Sequence, residues 1–185
     1  MSTPYERLLA LLTERSYAKR DVVLASGRHS DFFIDCKQTV LSAEGHVLVG
    51  VEMLGALARL PGEPVSAVAG VELGGCPLAS AVSLTSFEKG RPLDAIYVRK
   101  EAKEHGSRRL LEGNDRIARG ARVAILEDVI TTGGSTLKSA DKLQASGYVV
   151  AGVVALVDRE EGGRAAIESA GLPLVSLFVR GQFPR

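Results

Sequence analysis

The sequence predicts an α/β fold: a doubly wound, mainly parallel five-stranded sheet flanked by helices, with a small N-terminal hood that contains a β-hairpin. Three observations predict it. Short apolar runs recur between amphipathic segments, the βα alternation of a parallel sheet buried on both faces. Two of those runs pass directly into glycine-rich turns followed by helical patterns. Two further strand-like segments come before any βα unit and so form a cap rather than part of the core. The chain has 185 residues, a length that favours one domain, with hood elements over about 1–40 and the α/β core over about 41–185.

Taken in order, Thr3 caps a first helix with Pro4 at its first position and Glu6 closing a capping box, while Leu8, Leu9, Leu11 and Leu12 form its buried side. Segments 20–26 and 31–36 read as two strands joined by a hairpin-sized gap. Of Phe32 and Phe33, at least one belongs to the core and the other is free to offer a flat face to a planar ligand. Ser42 caps a helix over 43 to about 60, stopped by Pro61 and Gly62. Strand 65–69 leads through Gly70 to Pro77 (G-V-E-L-G-G-C-P) into an apolar helix over 78 to about 87, and 94–98 is a further strand. Tyr148 to Val157 is the longest apolar run and reads as a central strand. Asp158 and Arg159 stand at its exit, a short helix follows from about 163 to 170, and strand 174–178 completes the sheet.

The stretch R-V-A-I-L-E-D-V-I-T-T-G-G-S, residues 122 to 135, carries the strongest chemical signal. Val123 to Leu126 form a doubly buried strand, with Glu127 and Asp128 at its end. Thr131, Thr132, Gly133, Gly134 and Ser135 then make a small polar turn, and a helix begins near Thr136. Glycines admit a phosphate to the backbone, hydroxyls donate to it, and the helix N-terminus offers N–H groups and a favourable dipole. Adjacent carboxylates repel phosphate, so they suit sugar hydroxyls or the waters of a divalent cation. Together the two halves describe a ribose 5-phosphate site. The plainer alternative is a βα connection with ordinary capping hydroxyls. A second cluster, R-K-E-A-K-E-H-G-S-R-R, places Arg99, Lys100, Lys103, His105, Arg108 and Arg109 in eleven positions against Glu101 and Glu104. Such a run is either a solvated face or, because it leaves the carboxyl end of a core strand, a mobile cationic lid for a polyphosphate.

Composition excludes several classes. The net charge of +1, with 24% charged residues, gives no global field for nucleic acid or membrane binding. The amino terminus lacks a signal peptide's apolar core and no run reaches membrane-span length, so a cytoplasmic protein is expected. Cys36 and Cys76 lie forty positions apart with no CxxC or nearby histidine, which argues against a disulfide or a cysteine metal site.

Four motifs in order make the chain resemble the orotate phosphoribosyltransferases, a branch of the type I phosphoribosyltransferases that use phosphoribosyl diphosphate (PRPP). The lid signature R-K-x-x-K-x-H-G stands at Arg99, Lys100, Lys103, His105 and Gly106, and the PRPP loop at Glu127 to Ser135. The S-G-x-x-S segment and its aromatics stand at Ser26, Gly27, Ser30, Phe32, Phe33, Ile34 and Asp35. The D-R-x-E-G-G segment stands at Asp158, Arg159, Glu161, Gly162 and Gly163. The resemblance implies that Lys103 and Asp128 are catalytic. It implies PRPP binding by Arg99, Lys100, Lys103, His105, Glu127, Asp128, Val129, Ile130, Thr131, Thr132, Gly133, Gly134 and Ser135, and orotate binding by Phe33, Ile34, Thr131 and Arg159. Mg²⁺ is implied as cofactor, held mainly by PRPP and water with no direct protein ligand, and so is a homodimer whose lid reaches the partner's site. Two departures stand out: many members carry a lysine before the S-G pair, where this chain has Ala25, and a lysine in the first glycine turn, where it has Gly74.

The implied activity is transfer of the phosphoribosyl group from PRPP to orotate, giving orotidine 5′-monophosphate and diphosphate in pyrimidine synthesis. A guanidinium fork at Arg159 matches orotate's carboxylate; the alternative is that Arg159 pairs with Glu161 or Asp158 to stabilise its own turn. The rival functions are a phosphoribosyltransferase for another base and a PRPP-sensing regulator without turnover, which would need a nucleic-acid-binding module.

Overall fold

The structure, a computed structural model, describes residues 2–23, 29–101 and 109–184. Helix α1 (Pro4–Leu11) begins as the sequence requires: the Thr3 hydroxyl accepts the Glu6 N–H, and the Glu6 carboxylate accepts the Thr3 N–H at 2.8 Å. A π-helical turn over Leu12–Ser16 extends it, burying Leu12 and Ser16. Strands β1 (Tyr17–Val23) and β2 (His29–Ile34) pair antiparallel with Tyr17 opposite Ile34. The hairpin therefore starts three residues before the position expected from sequence. Tyr17 explains the extension, because its ring packs on Phe32 and Phe183 and anchors the strand's first residue. A short helix α2 (Lys37–Val40) leads into α3 (Ala43–Leu57), whose N-cap Ser42 hydroxyl accepts from the Gly45 N–H.

The core sheet has six strands in the order β5-β4-β3-β6-β7-β8. Five are parallel: β3 (Ala67–Val71), β4 (Asp94–Val98), β6 (Arg122–Ile130), β7 (Val149–Asp158) and β8 (Leu174–Val179). The sixth, β5 (Leu111–Glu112), pairs antiparallel with β4 and was not expected; two residues are too few to show any periodicity. Three helices cross between parallel strands: α4 (Gly75–Glu88), α5 (Gly134–Ala145) and α6 (Gly163–Ser169).

The apolar run of β6 is continuous because both of its faces are covered. Ala124 and Leu126 join one core with Leu8, Val49, Met53, Leu78 and Phe178 from the α1, α3 and α4 side. Val123 and Ile125 point the other way, into a second core with Ile96, Ala140, Leu143 and Ile167. All four residues are fully buried, and truncating Ile125 or Leu126 to alanine would cost about 2–5 kcal/mol. From β3 the chain winds outward through α4 to β4, and from β6 it winds the other way through α5 to β7. The order therefore reverses between β3 and β6, and a ligand crevice forms at the carboxyl ends of strands at such a switch point.

Candidate active site

Strand β6 does not end at its acids. Glu127 pairs in register with Ala155, and Ile130 with Asp158, so Glu127 and Asp128 lie inside the strand near its carboxyl end. This placement governs their chemistry. Glu127 is 5% exposed, and its Oε2 accepts from the Thr136 hydroxyl at 2.9 Å and the Ser135 hydroxyl at 3.3 Å. Burial and then the neighbouring Asp128 charge push its carboxyl up to about 8, against the pull of those two hydroxyls and of the Lys100 cation. Asp128 is also raised by burial, but it is held down by the Val129 N–H, which donates to Oδ1 at 2.9 Å, and by the Lys37 cation. Burial thus raises both carboxyls, that of Glu127 to about 8.

The turn after β6 is shaped by close backbone packing. Gly133 sits at φ +81° and precedes α5, a conformation that side chains other than glycine rarely adopt. Gly163 lies against it: a Cβ on Gly163 would come within 2.5 Å of the Thr131 carbonyl oxygen and 3.0 Å of the Gly133 nitrogen. The Gly163 N–H donates to the Thr131 carbonyl at 2.9 Å. The second glycine of the D-R-x-E-G-G segment therefore supports the T-T-G-G-S turn from below. Thr132, Gly134 and Ser135 are exposed around the helix N-terminus, where backbone N–H groups lack a partner one turn back. The Ile130 side chain is buried, so that residue can offer a ligand only backbone, and its carbonyl already accepts the Arg159 N–H at 3.0 Å.

The first glycine turn packs directly on Asp128. A Cβ built on Gly74 would lie 1.8 Å from Asp128 Oδ2. No side chain fits there unless the carboxylate moves, which gives a physical reason for glycine at the position where many related chains carry lysine. The Glu72–Leu73 peptide in this turn is cis. Arg99 and Lys100 leave β4 beside it, with the Lys100 N–H donating to Glu72 Oε2 at 2.8 Å and the Arg99 guanidinium 3.7 Å from Glu112. The Lys100 charge reaches Glu127, as its effect on that carboxyl shows. Lys103, His105, Gly106 and Arg108, like Ala25, Ser26 and Gly27, fall outside the described residues.

Arg159 meets the hood. It is 8% exposed, donates to the Phe32 carbonyl at 2.9 Å and pairs with Glu161 at 2.8 Å. Asp158, the other carboxylate within reach by sequence, pairs instead with Arg164 at 3.1 Å. Phe32 is core, packed on Tyr17 and Phe183, whereas Phe33 is half-buried and carries the Arg20 guanidinium 3.6 Å above its ring centre. Ile34 is 8% exposed and belongs to the core. The turn between Arg159 and Gly163 is tight: Glu160 has φ +57°, and its N–H donates to Asp158 Oδ1 at 2.9 Å.

The strand ends thus gather Glu127, Asp128, Arg99, Lys100, Arg159 and the T-T-G-G-S turn along one sheet edge. Sequence reasoning passed over three contributors there. Lys37 lies within the electrostatic reach of Asp128 while pairing with Asp35 at 2.6 Å. Glu72 holds Lys100, and Lys142 bonds to the carbonyls at the exit of β4. Each is a lone charge in an ordinary helical or turn context, with no spacing to mark it.

No protein-family model matches the chain. Comparison with individual proteins is decisive. The orotate phosphoribosyltransferase of Sorangium cellulosum (strain So ce56) is 67% identical over 178 residues, covering 96% of this chain and 92% of that protein. Among solved structures, the Mycobacterium tuberculosis H37Rv orotate phosphoribosyltransferase in complex with Fe(III) dicitrate superposes with a TM-score of 0.82 at 36% identity, covering 97% of this chain and 98% of the other. The structure of that enzyme in complex with PRPP gives a TM-score of 0.78 at 31% identity over 97% and 98% of the two chains. By a relationship that spans nearly the whole of both sequences, the chain belongs to the orotate phosphoribosyltransferase family.

Proposed function

We propose that this protein transfers the 5-phosphoribosyl group of PRPP to orotate, releasing diphosphate and forming orotidine 5′-monophosphate, a step of pyrimidine nucleotide synthesis. The observation that carries the reading is the junction of β6 and α5. An acid pair there, Glu127 buried and Asp128 half-buried, runs straight into a glycine–hydroxyl turn at a helix N-terminus, so that hydroxyl-binding and phosphate-binding groups sit close together. In this reading the turn from Thr131 to Ser135 takes the 5-phosphate. Asp128 and Glu127 take ribose hydroxyls, and Arg99, Lys100, Lys103 and His105 take the diphosphate. Phe33, Ile34, Thr131 and Arg159 surround the base.

In the reaction the orotate N1–C1 bond forms as the C1–O bond to diphosphate breaks. The bonding pair leaves with the diphosphate, and the N1 proton passes to solvent, which in turn restores the proton that Lys103 gives to the leaving group. Positive charge grows on the ribose and negative charge on the leaving group, so the chain's work is electrostatic. In this reading Asp128 faces the ribose, Arg99, Lys100, Lys103 and His105 take the diphosphate, and Lys103 is the proton donor to it. Arg159 orients the carboxylate of orotate. Exclusion of water strengthens these interactions and protects the donor from hydrolysis.

Magnesium fits this donor set as a cation brought by the substrate. Among the described residues no group of three or more His, Cys, Asp or Glu converges on a point. In this reading the cation keeps phosphate oxygens and water as ligands, and Glu127 and Asp128 would hold its water shell; it would neutralise charge on the leaving diphosphate. A homodimer with a shared site and a cytoplasmic location complete the reading, and no helix among the described residues is long and apolar enough to cross a membrane. The test is a base panel: with PRPP and Mg²⁺, orotate should be consumed, whereas uracil, adenine and hypoxanthine should not. Turnover of another base in preference to orotate would replace the acceptor, and PRPP binding without turnover of any base would favour a sensor.

A further inference from the structure

The exit of β4 is held by three separate segments, one of them α5 through Lys142. Lys142, in the last turn of α5, extends its Nζ to the carbonyl oxygens of Arg99 and Lys100, at 2.8 Å each. A lysine in that position ordinarily serves the carbonyls of its own helix end; this one is directed at another strand. From the opposite side the Lys100 N–H donates to Glu72 Oε2 at 2.8 Å, and the Glu72 N–H donates to the Val98 carbonyl at 2.9 Å. The Arg99 N–H donates to the Leu110 carbonyl at 2.9 Å. Both N–H groups and both carbonyls of the Arg99–Lys100 pair are therefore bonded.

The structure assigns Lys142 as a positioning residue for donor binding: it fixes the Arg99–Lys100 backbone at the carboxyl end of β4 against α5. The assignment rests on the reading of this site as a PRPP site. Its geometry has a further consequence. Gly134 begins α5 at the phosphate turn and Lys142 lies eight residues along the same helix, about 12 Å away at 1.5 Å per residue. One rigid helix thus sets the spacing between the turn that takes the 5-phosphate and the cationic strand end that takes the diphosphate. A donor with phosphate at both ends of its ribose is sensitive to that spacing, whereas the base is not.

The test compares wild type, Lys142→Met and Lys142→Arg as full chains. Steady-state kinetics are measured with PRPP, Mg²⁺ and orotate, and binding of magnesium diphosphate alone by calorimetry. Removal of two charge-assisted hydrogen bonds should raise the PRPP KM and weaken diphosphate binding roughly tenfold in Lys142→Met. The orotate KM at saturating PRPP should stay within about twofold of wild type, since the spacing does not involve the base. Arginine, which can also donate to two carbonyls, should recover most of the loss. Unchanged PRPP KM and diphosphate affinity in Lys142→Met would overturn the assignment, as would an equal rise in both KM values that tracks a lowered Tm. If wild type fails to consume orotate, the proposed function falls and the diphosphate measurement alone decides on Lys142. Should Lys142→Met not fold, Glu72→Ala releases the same peptide from the other side and carries the same expectations.

Discussion

Replacing Glu127 with glutamine should make the protein more stable at high pH and less active. The carboxyl lies 5% exposed against Asp128 and is raised from an ordinary value of 4.5 to about 8. A carboxyl raised on folding contributes its full stability below the unfolded value. That stability is lost as pH climbs through the folded value, because the unfolded chain ionises first. At 1.36 kcal/mol per pH unit the shift corresponds to at most about 5 kcal/mol lost between pH 4.5 and 9. Relaxation and water entry reduce this, and about 2 kcal/mol or more should remain. Glutamine keeps an oxygen for the Thr136 and Ser135 hydroxyls and cannot ionise. The stability difference between Glu127→Gln and wild type should therefore widen by about 2–5 kcal/mol from pH 5 to pH 9, as read from urea unfolding of both proteins at several pH values. Every other titrating group is common to both chains and cancels. A difference that stays flat with pH would show that Glu127 is ionised throughout, and the account of the acid pair would fail.

Arg159→Ala should raise the orotate KM and lower kcat/KM by about 10² to 10³, with the PRPP KM little changed. Because Arg159 also pairs with the buried Glu161, the variant should lose about 3 kcal/mol of stability, part of it recovered by adding Glu161→Gln; wild-type orotate kinetics in a destabilised variant would make Arg159 a scaffold residue. Gly74→Ala places a Cβ 1.8 Å from Asp128 Oδ2, so the carboxylate must swing away, and kcat/KM for PRPP should fall at least about tenfold, with a crystal structure showing the Asp128 displacement. Glu160→Gly removes a side chain from φ +57° and should gain about 0.5–1 kcal/mol in urea unfolding.

The core was legible because its central strands β3, β6 and β7 are buried on both faces, and because α1 and α3 begin at capped termini. Val123 to Leu126 could be little else, and Ser42 and Thr3 mark their helix starts by chemistry that needs no tertiary context. The strand over 94–98 falls as expected. Boundaries moved where tertiary contact decides them. Tyr17 draws β1 forward by stacking on Phe32 and Phe183, and pairing with β7 carries β6 past its acids to Ile130. That last difference matters for function, because an acid pair inside a strand is buried and an acid pair after one is solvated. Partnerships were the least legible level. The sequence offers Arg159 two carboxylates, and only the fold sends Asp158 to Arg164 and Glu161 to Arg159. Lys142 and Glu72 gave no local signal, since their partners are backbone atoms more than twenty-five positions away.

The central claim is that the acid pair and its turn bind the ribose 5-phosphate of a donor whose group passes to orotate. It is tested most directly by following loss of orotate absorbance and release of diphosphate in one reaction, with the purified chain, PRPP and Mg²⁺, for wild type and Asp128→Asn. The account predicts one diphosphate released per orotate consumed, no diphosphate released when orotate is omitted, and both signals reduced about 10²-fold or more in Asp128→Asn. Diphosphate release independent of orotate, or an Asp128→Asn variant as active as wild type, would contradict it.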